Sequence, residues 1–208
     1  KKHDQTVGAS ASNFDSDFYL WNNLGAGIVP NPPSSNAYDW QIHSYFSRAT
    51  YSLLDKYLFT ATGRYDGSSK FGENHKYAFF PSVAAAWRVS EEDFLKGSRT
   101  ISNLKLRISY GSTGNSEIGQ YQSIGGLSSN TAIFGGTRAG GEVQGTIPNP
   151  NLKWEKTDQT DLGVDLGLFN NRINLTADVY NKITTGLLLY APVPLSSGFD
   201  NVLTNIGS

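Results

Sequence analysis

Three histidines, His3, His43 and His75, are the residues best suited to ligate a metal or move a proton near neutral pH, and they stand far apart in the chain. None has a partner at metal-ligand spacing. With no cysteine in 208 residues, thiol chemistry, a disulfide framework and a cysteine-based metal site are all excluded. Asp15 and Asp17 are close together, but in a polar stretch that reads as a solvated loop. A glycoside hydrolase needs two carboxylates placed about one reacting bond, and no pair here is singled out. Gly125-Gly126 and Gly135-Gly136 do not follow a strand and open a helix, as a phosphate cradle would require. Asn174-Leu175-Thr176 fits a glycosylation sequon but falls mid-strand. What remains is a set of charges on the polar sides of alternating segments: Arg48, Arg64, Asp66, Arg88, Lys105, Arg107, Asp161, Asp165 and Asp178. No catalytic residue, metal or cofactor is expected, and the chain is not read as an enzyme.

The elements that carry these charges announce themselves by a period of two. Tyr57, Phe59, Ala61, Gly63 and Tyr65 alternate with Leu58, Thr60, Thr62, Arg64 and Asp66, which gives a strand with one apolar and one polar face. Asp66-Gly67-Ser68-Ser69 then reads as a tight turn, its side chains bonding nearby amides and Gly67 supplying an unusual backbone angle. Alternation resumes with Val83, Ala85, Trp87 and Val89. Tyr45, Ala49, Tyr51 and Leu53 make an earlier strand, and 54–56 is the turn between them. Pairing Leu53 with Tyr57 sets Tyr51 against Phe59, Ala49 against Ala61 and Arg48 against Thr62, so apolar meets apolar and polar meets polar. Leu104, Leu106, Ile108 and Tyr110 give a further strand.

A hairpin around Asn170-Asn171 suits a two-residue primed turn. Pairing Phe169 with Arg172 aligns Leu166 with Leu175, Val164 with Ala177 and Leu162 with Val179 on one face. Asp165 and Thr176 then meet on the other, as do Gly163 and Asp178. Ser90-Glu91-Glu92-Asp93 has the form of a capping box, so 91–96 is expected to make one or two helical turns. A weak alternation over 3–11 and a possible start at Ile206 complete the strands. Residues 12–39, 112–153 and 186–205 read as long loops.

Composition bounds the class. Lys+Arg 17 against Asp+Glu 18 gives no electrostatic reason to expect nucleic acid. The 22 glycines and 12% aromatic residues suit strands joined by turns. No apolar run approaches the roughly 20 residues of a membrane helix, and a barrel needs none, because only alternate residues face lipid.

Five blocks in order closely resemble the barrel of SusC/RagA-type TonB-dependent outer-membrane transporters: KYLFTATGRYDGSSKFG at 56–72, FPSVAAAWRVSEEDF at 80–94, LKLRISYGSTGN at 104–115, LKWEKTDQTDLGVDL at 152–166 and NRINLTADVYNKIT at 171–184. The resemblance implies an all-β antiparallel meander of about seven or eight strands, an arc of a large transmembrane barrel. On it, 1–208 is a fragment of one barrel domain, without the signal peptide, the plug and the TonB-contacting segment of a longer chain. It implies an importer of large nutrients, glycan or peptide fragments, in the bacterial outer membrane. The partners implied are the lipid bilayer, a SusD-like surface lipoprotein, and the TonB complex acting through the plug.

On this resemblance Arg48, Arg64, Asp66, Arg107, Asp161, Asp165 and Asp178 face the lumen. Tyr51, Tyr57 and Trp87 are then girdle aromatics at the membrane interface. Connections 54–56, 90–103 and 170–171 lie at the periplasmic end, and 12–39, 67–81, 112–153 and 184–204 outside. Phe134, Tyr190 and Phe199, with Ile133, Leu188 and Leu189, are candidates for a partner surface on the late loops. The rival reading is a soluble all-β carbohydrate-binding or adhesive module, in which a second sheet would cover the apolar faces.

Overall fold

A computed structural model describes residues 1–16, 18 and 22–207; the candidate Asp17 lies outside them. The chain divides into two compact units, Lys1–Gln41 and the remainder from Ile42. In the first, β1 (Lys2–Gly8) pairs antiparallel with β4 (Ser34–Trp40), and β2 (Ala11–Phe14) pairs with β3 (Gly27–Pro30). The stretch expected to be one long loop over 12–39 therefore contains strand at 12–14, 27–30 and 34–39.

The second unit holds β5 (Ile42–Leu53), β6 (Tyr57–Ser68), β7 (Tyr77–Arg88), β8 (Ile101–Asn115), β9 (Leu127–Phe134), β10 (Thr137–Gln144), β11 (Glu155–Leu168), β12 (Ile173–Thr185), β13 (Leu187–Pro192) and β14 (Asn201–Ile206). Six of these form one antiparallel sheet in the order β5-β6-β7-β8-β11-β12, while β9–β10 and β13–β14 are separate ribbons. The fold is an all-β meander whose two edges, β5 and β12, do not meet. The sheet holds six strands, fewer than expected, because the first sequence candidate pairs within the other unit and Ile206 ends a ribbon strand.

Register follows the alternation. Leu53 pairs with Tyr57, Tyr51 with Phe59 and Arg48 with Thr62; Leu166 pairs with Leu175 and Leu162 with Val179. Both tight turns have left-handed central residues, Leu54 and Asp55 at φ 53° and 54°, Asn170 and Asn171 at 55° and 60°. That is the primed geometry matching the right-handed twist of paired strands. In the second Phe169 is left-handed as well, at 52°, so the ladder closes at Leu168–Ile173 and not at the expected Phe169–Arg172. Across all six strands one row reads Tyr51, Phe59, Ala85, Ile108, Leu162 and Val179. A neighbouring row on the opposite face reads Ser52, Leu58, Ala86, Arg107, Gly163 and Asp178.

The buried core does not lie under the apolar face. It is a cluster of Phe71, Phe80, Leu152, Trp154 and Leu203 at the end of the sheet away from the tight turns. Phe80 pairs with Arg64, so its register places it on the polar side. The β7–β8 ladder stops at Ser82–Gly111, one residue short of Pro81, which has no N–H to give. Beyond that point Phe80 packs so closely on Gly114 that an added Cβ there would overlap the ring. Trp154 closes the cluster, its Nε1 donating to the Lys76 carbonyl at 2.9 Å.

Candidate functional site

The polar face carries a compact ion network at the middle of β8, β11 and β12. Arg107 donates from Nε and Nη2 to both oxygens of Asp165, at 2.9 and 3.0 Å, and from Nη2 to Asp178 at 2.9 Å. To reach β12 the guanidinium must cross β11, and it does so over Gly163. A Cβ at that position would sit 2.8 Å from Arg107 Cζ and closer still to Asp178. Lys105 lies 3.9 Å from Asp165, and Thr176 donates to it at 3.3 Å. Asp161, one pair further along, accepts from Ser109 at 3.2 Å and Gln159 at 2.8 Å. Four of the lumen candidates, Arg107, Asp161, Asp165 and Asp178, thus fall in one neighbourhood.

Arg48, Arg64 and Asp66 form a second group on β5 and β6. Asp66 is 5% exposed and takes Arg64 Nε at 2.6 Å. The expected turn at 66–69 is not there. β6 continues to Ser68, Asp66 pairs with Ala78, and Gly67 has no left-handed backbone. Gly67 is needed for another reason, since a Cβ would overlap the ring of Tyr77. Tyr77 in turn stacks on Tyr65 with centroids 5.1 Å apart.

At the tight-turn end Glu92 gathers three donors. Tyr57 Oη reaches it at 2.7 Å, Lys56 Nζ at 2.9 Å and Trp87 Nε1 at 3.0 Å. These bonds, Tyr57's first, draw the Glu92 carboxyl from its ordinary 4.5 down to about 2. The segment makes a short turn, with Lys96 N bonded to Glu92 O at 2.9 Å, and its side-chain chemistry runs through Glu92 instead of a Ser90–Asp93 box. Tyr57 and Trp87 stack at 6.3 Å, whereas Tyr51 stands in the next apolar row, 63% exposed.

This architecture has close counterparts. A family model for the TonB-dependent receptor-like β-barrel matches residues 2–208. The chain belongs to that family. TonB-dependent receptor P3 of Formosa agariphila is 44% identical over 199 residues, which are 96% of this chain and 20% of the relative. TonB-dependent receptor SusC of Bacteroides thetaiotaomicron is 41% identical over 171 residues, 79% of this chain and 17% of that protein. The solved structure of the RagAB peptide transporter superposes with a TM-score of 0.87 at 33% identity, over 99% of this chain and 22% of the other. This piece of a receptor barrel therefore spans about a fifth of the length of the relatives it matches.

In this receptor-barrel chain the late loops differ from their sequence reading. The 112–153 stretch extends β8 to Asn115 and then folds as the β9–β10 ribbon about Gly135-Gly136, at φ 57° and 82°. Ile133 and Phe134 are exposed on it. The β13–β14 ribbon is tied down instead. Leu203 is buried, Leu188 packs on the cluster, and Asn205 bonds Lys153 N, Lys153 O and Gly186 O. Tyr190 stays exposed and Phe199 is half-buried, so the three partner candidates are not one patch of equal exposure.

Sequence reasoning missed an aromatic row at the far end of the apolar face, where Tyr45 pairs with Tyr65 and Tyr65 with Phe79. The signal was present in the alternation of β5 and β6, but Phe79 lay in what read as a loop. Glu92 was also missed, since its partners come from two other places in the chain, Lys56 and Tyr57 at the start of β6 and Trp87 at the end of β7. Asn174, the sequon residue, donates from Nδ2 to Asn171 O at 3.0 Å and so steadies the β11–β12 turn.

Proposed function

We propose that this chain is part of the wall of an outer-membrane importer that takes up large nutrients, glycan or peptide fragments, under TonB control. The carrying observation is the six-strand apolar row. Tyr51, Phe59, Ile108, Leu162 and Val179 are each about half exposed or more, so among the described residues this row is not packed away as a core. The β13–β14 ribbon packs on the buried cluster through Leu203 beside Phe80, on the polar side. A soluble module would have to bury this face, whereas lipid covers it without further protein.

Two aromatic tiers support the same reading. Tyr57 with Trp87 marks one and Tyr45, Tyr65 and Phe79 the other. Tyr57 to Tyr65 spans nine residues of β6, the short end of the roughly 9–11 that a tilted strand uses to cross the hydrocarbon core. The polar face then lines the lumen, with Arg48, Arg64, Asp66, Arg107, Asp161, Asp165 and Asp178 in its wall. The tight turns lie in the periplasm and the β9–β10 and β13–β14 ribbons outside, where Phe134, Tyr190 and Phe199 meet a SusD-like surface lipoprotein. Energy reaches the barrel through a plug contacted by TonB. The work is binding and gating, without a bond made or broken. The relatives' names, among them SusC and a peptide transporter, support this class of cargo.

Adjacent residues on β12 test the two faces. In the full-length protein Val179→Arg, in the six-strand apolar row between the two aromatic tiers, should cost roughly 2–4 kcal/mol of membrane assembly, as an arginine facing mid-bilayer does. Tyr180→Arg, on the other face, should assemble normally. Heat-modifiability on gels and outer-membrane fractionation read both; equal assembly of the two variants would reject the inside/outside assignment.

A further inference from the structure

The two charged groups of the polar face differ in what they leave unsatisfied. Arg107 is consumed by Asp165 and Asp178, and three cations there, Lys105, Arg107 and Arg88, stand against Asp161, Asp165 and Asp178. On β5 and β6, toward the other end of the face, two guanidiniums stand against one carboxylate. Asp66 takes only Arg64 Nε. Among the described residues neither the two Arg64 Nη groups, four N–H donors, nor the Arg48 guanidinium has a hydrogen-bond or ion-pair partner. Register makes the two arginines diagonal neighbours, because Arg64 pairs with Phe46 and Arg48 with Thr62. Diagonal positions lie about 7–8 Å apart, close enough for two long side chains to converge on one group.

The surroundings are those of a binding site. Phe46 is 79% exposed although its register sets it on the polar face. Beside it a cavity of about 470 Å³ is lined by Thr62, Arg64, Asp66, Phe80, Ser82 and Trp154. That volume is in the range of small-ligand pockets, and it combines hydroxyls, aromatic surface and free guanidinium donors.

We infer that Arg48 and Arg64 form a subsite for a carboxylate group on the transported cargo, with Phe46 contacting the apolar part next to it. A carboxylate matches the planar fork of a guanidinium bidentately and neutralises the surplus charge. The inference rests on this face being the lumen. The same chemistry is offered by an acidic peptide and by a uronic-acid sugar, so both are tested.

Binding of tetraglutamate, tetraglutamine, tetragalacturonate and galactotetraose to the purified full-length receptor in detergent is measured by calorimetry at low and high salt. At least one carboxylate probe should bind roughly tenfold or more tighter than its neutral counterpart, the size of a charge-assisted hydrogen bond, with the preference shrinking as salt rises. Which acid binds identifies the source. Arg48→Gln/Arg64→Gln should abolish the preference, while Arg99→Gln/Arg172→Gln, which removes the same charge at the tight-turn end, should keep it. No preference in the wild type, or one that survives the Arg48/Arg64 change, overturns the subsite. Heat-modifiability of every variant is recorded in parallel; a wild type that fails that assay instead refutes the barrel reading.

Discussion

The two ends of the six-stranded sheet are held by opposite means. At the tight-turn end the fastening is polar and small, with one carboxylate, Glu92, receiving Tyr57, Lys56 and Trp87. At the ribbon end it is apolar and assembled from distant chain, Phe71 and Phe80 meeting Leu152, Trp154 and Leu203. The difference has a physical cause. Short turns fix register by themselves, so that end needs only one clamp to join the β5–β6 turn to the β7–β8 connection. The other end must organise excursions of tens of residues, and closing such loops costs entropy that only substantial burial offsets. The same contrast separates the ribbons: β13–β14 is anchored in the cluster, and β9–β10, exposed along its whole length, is not.

The sharpest way to break the ribbon end is to empty its centre. Leu152 is fully buried, and Leu152→Ala should destabilise that end by about 2–5 kcal/mol. Protease protection of 149–154 and 201–206 in the membrane-inserted protein should fall while the tight-turn end stays protected. If both ends loosen together, they are one cooperative unit. Asn205→Ala removes three hydrogen bonds to Lys153 and Gly186. At about 0.5–1.5 kcal/mol each, it should free β13–β14 in hydrogen exchange and leave the β5–β6 hairpin unchanged.

The polar end should respond to acid where the apolar end does not. Glu92 titrates at about 2 in the folded chain, below its ordinary 4.5. A depressed folded pKa contributes stability above the unfolded value, and that contribution is lost as pH falls from about 4.5 through about 2. Pepsin cleavage at exposed Phe94 gives the measurement. The wild type should be cut more slowly than Glu92→Gln near pH 4.5, with the two rates converging toward pH 2. A constant ratio across that window would show that the carboxylate is not the clamp. The smallest effect belongs to the free ribbon, where Phe134→Ser should change stability by less than about 0.5 kcal/mol. If lipoprotein co-purification falls with that change, the exposed ribbon is a partner surface; if it is unchanged, Phe134 has no part in docking.

What the sequence alone determined is whatever a period of two and a short turn can specify. Leu53 and Tyr57, or Leu168 and Ile173, lie so close in the chain that choosing the turn chooses the register, and a one-residue slip would have put Arg48 or Asp165 among apolar residues. The five family blocks lie on those same long strands. The tertiary structure decided everything that joins distant segments. Whether Arg107 reaches Asp178 depends on the β8–β11 register, set across the long excursion 116–154, and on the bare backbone of Gly163 between them. Asp66-Gly67-Ser68 looked like a turn because its residue types favour one locally, yet it stayed in the strand, where Tyr77 packs over Gly67 and Arg64 meets Asp66. Phe80 could not be read as core from its own neighbours. It is buried because Pro81 ends a ladder and Trp154, far along the chain, fills the gap that opens.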